Sequence, residues 1–170
     1  MAEPKPIRMK VKFPTKLPAY LDSERARQIV YDANKITMHG AVNLLHGATV
    51  ENTPFAFGLL RRSIFGEVLD VSGNIIGKVG TPSPYGAPVE FGSRPHWAPL
   101  APLVLWAQRK LGLNGLFAIA AARNIRYKIA HHGTKGYFMF KRAFNENKGR
   151  IRKLFKDAQA ATLRKLMERK

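Results

Sequence analysis

The chain contains no cysteine. Disulfides, thiolate nucleophiles and Cys-based zinc sites are therefore excluded. Acidic residues are few, and none lies between Glu90 and Glu146. Long apolar runs are missing too. The run Leu100–Ala107 is eight residues and includes Pro102, whereas a membrane-spanning helix needs roughly twenty. A soluble protein with no membrane partner is expected. The opening Met1-Ala-Glu-Pro-Lys-Pro is polar and lacks the apolar stretch of a signal peptide. There is no phosphate-binding loop either. Gly77-Lys78-Val79-Gly80-Thr81 lacks the Gly-x-x-x-x-Gly-Lys-Thr spacing and reads as strand. Nucleotide binding, and any cofactor, is not expected.

Positive charge is present in excess. Lys and Arg number 29 against 11 Asp and Glu, for a net charge of +18. The acid-free span carries nine cations: Arg94, Arg109, Lys110, Arg123, Arg126, Lys128, Lys135, Lys141 and Arg142. Beyond Glu146 follow Lys148, Arg150, Arg152, Lys153 and Lys156. A surface this one-sided attracts polyanions, either nucleic acid or acidic protein faces. The candidate contacts to DNA or to an acidic surface are Arg109, Lys110, Arg123, Arg126, Lys128, Lys135, Arg150, Arg152 and Lys153. The same charges on a helix also fit a solvated face.

The patterning predicts an α+β chain. Residues 1–20 hold Pro4, Pro6, Pro14 and Pro18, which favours an extended arm. Val11 and Phe13 alternate with lysines there, as in a short edge strand. A disordered tail fits the same residues. A first helix is expected from Asp22 as N-cap, with Ile29, Ala33, Ile36, Gly40 and Leu44 on one face. A short helix over 55–64 precedes a hairpin. Its strands run through Glu67–Val71 and Ile75–Val79, around the turn Ser72-Gly73-Asn74. Tyr85–Phe91 reads as a helical turn ended by Gly92. Pro99–Leu111 reads as a helix stopped at Gly112, and Gly115–His131 as a helix capped by Asn114 and stopped by Gly133. The last helix starts near Tyr137, with a stripe of Phe140, Phe144, Ile151, Leu154, Phe155, Ala158 and Leu166. No linker or repeat divides residues 21–170. The expectation is one domain: a small antiparallel sheet around the hairpin, packed by the long first and last helices, with a helical insertion at about 93–136.

No constellation of catalytic residues emerges. Glu90 is the only acid near the basic span, and an acid without a partner acid or base is a poor catalyst. Pairing with Arg61 or Arg94, or a bond to a backbone turn, suits it better. Ser63 follows two arginines, in neither a nucleophile elbow nor a paired-base setting. His131 and His132 are adjacent and point apart on a helix, while His39 and His46 lack neighbouring ligands, so a metal site is not expected. Trp97 and Trp106, beside Arg94 and Arg109, suit either stacking on nucleic-acid bases or anchoring to the core or a partner.

One ordered set of residues stands out. It begins with Gly58, Leu59, Arg61 and Ser63, continues through Val79-Gly80-Thr81 and Tyr85, and reaches Glu90-Phe91-Gly92. Trp97 and Pro99, Trp106 with Arg109-Lys110, Ile129 with Gly133, and Phe140 with Ala143 extend it. Over roughly residues 24–156 this order resembles the small head–tail joining, or tail-completion, proteins of long-tailed bacteriophages. The resemblance implies a structural virion protein, not an enzyme, located in the tail neck after assembly in the host cytoplasm. It implies a homo-oligomeric ring, a hexamer. Its partners would be the tail terminator or tail tube protein and the head connector or adaptor proteins, with possible contact to packaged DNA. Arg61, Ser63, Tyr85, Glu90, Phe91, Arg94, Trp97 and Trp106 would carry subunit or partner contacts. The Pro-rich start and the extra basic end depart from the family pattern. A basic nucleic-acid-binding protein is the alternative.

Overall fold

The computed structural model describes residues 23–55, 58–71 and 74–168, together with the backbone of strand β1 (Ile7–Lys10). The chain is α+β. Its contacts group it into two compact units, one comprising Thr53–Ser63 and Pro82–Met139, the other Ile64–Thr81, Phe140–Lys170 and the residues before Thr53 down to Lys5. The boundaries fall at or next to the ends of helices and strands, and one of them lies in the Pro-rich stretch Gly80–Pro84.

The second unit holds helix α1 (Glu24–Asn52), strands β2 (Phe65–Val71) and β3 (Asn74–Gly80), strand β1 and nearly all of the C-terminal helix. The sheet order is β1-β3-β2, antiparallel throughout. The hairpin register runs from Phe65↔Gly80 to Val71↔Asn74, and β1 adds Ile7↔Val79 to Lys10↔Ile76. The expected alternation at Val11 and Phe13, the cap Asp22 and the turn residues Ser72-Gly73 all lie outside the described residues. Ser23 caps α1: its Oγ accepts the N–H of Ala26 at 3.1 Å.

Helix α1 buries Asn34, Thr37, Met38, Ala41, Val42, Leu45 and Thr49. The expected stripe is off by part of a turn, since Ile36 is 73% exposed. Polar residues occupy the buried face because they bond within their own helix. Thr37 and Thr49 donate their hydroxyls to the Ala33 and Leu45 carbonyls, each at 2.7 Å. That face lies close on the hairpin because two strand residues are glycines. A Cβ at Gly77 would stand 2.7 Å from Met38 Sδ and from Val42 Cγ2, and one at Gly66 2.7 Å from Val42 Cγ1. The inward side chains of β3, Ile75 and Val79, complete this core.

The last helix, α6 (Met139–Met167), buries Phe140, Ala143, Asn147, Ile151 and Phe155 at three- and four-residue steps. Leu154, expected in the stripe, instead lies toward Gly40 of α1, whose missing Cβ would be 3.8 Å away. Asn52 ties the two helices, accepting from Arg142 at 3.0 Å and donating to Glu146 at 3.1 Å.

The first unit is built from short pieces: α2 (Leu59–Ser63), α3 (Gly86–Phe91), β4 (Gly92–Ser93), α4 (Leu100–Leu111), α5 (Gly115–His132) and β5 (Thr134–Lys135). Helices α4 and α5 pack together, and Ala107, Ala118 and Ala122 on them are fully buried. Pro99 precedes α4, and Gly112 ends it in the left-handed conformation. Asn114 stands at the α5 N-cap position without a side-chain bond, so it marks the helix start without capping it.

Candidate interaction surface

Residues 89–93 and 133–138 are bound backbone to backbone. Gly92 pairs with Lys135 and Ser93 with Thr134. The N–H groups of Tyr137 and Phe138 donate to the Val89 and Glu90 carbonyls at 2.7 and 3.1 Å. The Ser93 N–H and hydroxyl both reach Thr134 Oγ1, at 3.0 and 2.9 Å. Glycine permits this clamp. A Cβ at Gly92 would sit 2.2 Å from the Thr134 carbonyl oxygen, and one at Gly133 2.0 Å from that of Ser93. Both glycines have positive φ, 82° and 67°.

The clamp places the Tyr85–Gly92 segment and leaves its rings outside. Tyr85 is 63% and Phe91 66% exposed, while Glu90 between them is 5% exposed. Arg61, one expected partner of Glu90, donates its Nε–H to the Thr53 carbonyl at 2.8 Å instead. Its guanidinium lies 5.4 Å from the Phe55 ring centre, and Lys110 lies 5.5 Å from the same ring. Ser63 bonds its own helix, donating to the Leu60 carbonyl at 2.8 Å. Trp106 is half-buried in α4.

A second surface forms along α5. The loop after Ser93 is braced against this helix, because the His96 N–H reaches the Ile129 carbonyl at 3.4 Å and His96 Nδ1 bonds the Arg94 carbonyl at 2.9 Å. Trp97 follows and is exposed. The Arg126 guanidinium lies 5.1 Å from its ring centre, and His131 meets its edge at 6.5 Å. The His131 ring lies 4.1 Å from that of Tyr127, tilted by 33°, and its Nδ1 bonds the Tyr127 carbonyl at 2.8 Å. Tyr127 and His131 were not among the candidates. The four-residue steps Arg123, Tyr127, His131 were the available signal, since they fall on one helical face.

All eight expected contact residues belong to the first unit, as do the basic candidates Arg109, Lys110, Arg123, Arg126, Lys128 and Lys135. Arg150, Arg152 and Lys153 belong to the second. The candidate cations are exposed except Arg126, which is half-buried. Arg150 also leans on Asn147 at 3.5 Å. Further apolar side chains face outward in the first unit, notably Leu116 at 83% and Phe117 at 75%.

On the hairpin, Lys78 bridges to Glu67 at 2.6 Å and lies 5.2 Å from the Phe65 ring centre. Tyr31 donates a short hydrogen bond to Asp70. That bond, with lesser contributions from desolvation and the charges of Asp70 and Asp32, raises the Tyr31 pKa above its ordinary 10.0. Among the described residues, no three His, Asp or Glu side chains group as metal ligands, and no helix is long and apolar enough to cross a membrane. No protein-family model matches the chain, and no match occurs among curated proteins or solved structures.

Proposed function

We propose that this chain is a structural virion protein of a tailed phage, a tail-completion component that joins tail to head at the neck. It acts by fit and not by chemistry, as a homo-oligomeric ring, a hexamer, between the tail terminator or tube and the head connector. The observation that carries this reading is the clamped segment 85–92. Its backbone is fixed by glycine-dependent pairing, and its two aromatic rings point to solvent. Exposed apolar groups on a rigid frame are what a protein interface requires. The same segment supplies Tyr85 and Glu90-Phe91-Gly92, central to the resemblance. The strong positive charge suits acidic neighbours or DNA within the neck.

Electron microscopy of lysates from a phage carrying a nonsense mutation in this gene tests the reading. DNA-filled heads beside complete, unattached tails are expected. Normal virions would overturn it.

The Trp97, Arg126, Tyr127 and His131 surface favours a second reading, a basic nucleic-acid-binding protein. Such a protein holds nucleic acid with a measurable specificity ratio and needs no ring partner. A joining protein binds duplex weakly and loses that binding steeply with salt.

A further inference from the structure

We infer that the α5 face carrying Tyr127 and His131, with Trp97 beside it, binds single-stranded nucleic acid by stacking bases on its rings. The inference rests on the nucleic-acid reading above and not on the joining role.

Ring exposure and order come first. Trp97 is 64% and Tyr127 61% exposed, so each offers an open ring surface. Neither is loosely held. The loop bearing Trp97 is hydrogen-bonded to α5, and the Tyr127 ring rests on His131. Preorganised rings lose little entropy when a base stacks on them. Charge is the second observation. No acid occurs from Phe91 to Asn145. Among the described residues Arg126 has no carboxylate partner, and its buried Nε has no hydrogen-bond acceptor. Its charge is held by the indole face. Arg123 lies one turn before Tyr127, and the backbone of Arg94 lies against Gly133 at the far end of α5. Arg123 and Arg126 therefore bring two cations to the rings within about 6 Å of helix, from a rise of about 1.5 Å per residue. Rings with flanking cations and no acids fit a strand whose bases are unpaired. A duplex hides its base faces, and an acidic peptide has no ring to stack.

The test is fluorescence anisotropy on the full chain with three labelled probes of about 12 nucleotides: an oligothymidylate, an abasic strand of equal phosphate number, and a blunt duplex. The oligothymidylate is expected to bind roughly 10- to 100-fold more tightly than the abasic strand at the same salt. Trp97→Ala and Tyr127→Ala should each weaken oligothymidylate binding roughly 5- to 150-fold and leave the abasic strand unaffected. Arg123→Gln should weaken both single strands and lower the salt slope by about one. Equal affinity for thymidylate and abasic strands on the unmutated chain overturns the inference, even if the ring variants misfold. So does tighter binding of the duplex, which leaves the nucleic-acid reading standing. Binding of none of the three overturns both.

Discussion

In the second unit the fully enclosed apolar residues include Met38, Leu45 and Val79. In the first they are Ala107, Ala118 and Ala122, with Met139 at its edge, while Leu116, Phe117, Phe91 and Trp97 face solvent. Apolar burial stabilises by about 25 cal/mol per Å², so the second unit derives its stability from its own core. The first relies on close backbone approach: alanines on two packed helices, and glycines in a clamp. Exposed large apolar side chains are concentrated in the first unit, although Ile36 and Met167 of the second also face solvent. Enclosed large side chains are thus concentrated in one part of the chain and exposed ones in the other.

The division can be broken with a pair of truncations. Leu45→Ala empties a fully enclosed site and should cost about 2–5 kcal/mol. Leu116→Ala removes an exposed side chain and should change unfolding free energy by less than about 0.5 kcal/mol, while weakening self-association in sedimentation. Urea titration of both variants reads the difference. Equal losses would show that Leu116 belongs to a core.

Gly92→Ala tests the clamp. The positive φ and the Thr134 carbonyl both oppose a Cβ there, so a cost of about 2–4 kcal/mol is expected. Native-state hydrogen exchange should show the Tyr137 and Phe138 amides losing protection while those of β3 keep theirs. Loss in both places together would mean that the units unfold as one.

Smaller effects belong to the second unit's surface. A double-mutant cycle on Glu67 and Lys78 should give about 0.2–1 kcal/mol, diminishing with salt, because the pair is partly exposed. The smallest effect concerns Tyr31. Its pKa is raised in the folded state, so the protonated phenol is favoured there. The resulting stabilisation is fully present below 10.0 and fades as pH climbs through the higher folded value. Tyr31→Phe should therefore match the parent's stability more closely in strong alkali than at neutral pH, as urea titrations at the two pH values would read. An equal difference at both would refute the stabilising Asp70 bond.

Elements with a period were legible in sequence. The hairpin followed from its alternation, and the end of α4 from Gly112, which does take the left-handed conformation. The α1 face was misjudged because Asn34, Thr37 and Thr49 read as polar, yet the threonines bond to their own helix and can be enclosed. The clamp was hidden for another reason. Strands of two residues have no periodicity, and Gly92 and Gly133 read as helix stops although close backbone approach is their larger role. Of the α5 surface, Trp97 and Arg126 were visible as residue types. Their association depends on a loop braced by His96, which no local pattern encodes.

Ser93 and Thr134 lie 41 positions apart in sequence and face each other across a ladder. Everything between them leaves and re-enters the clamp through a gap about one strand spacing wide, near 4.8 Å. A two-residue turn could close that gap. The α4–α5 pair is in this sense a cassette: it can lengthen, shorten or be exchanged for another hairpin without moving the points where the chain is anchored. The insert could then vary with the clamp left unaltered.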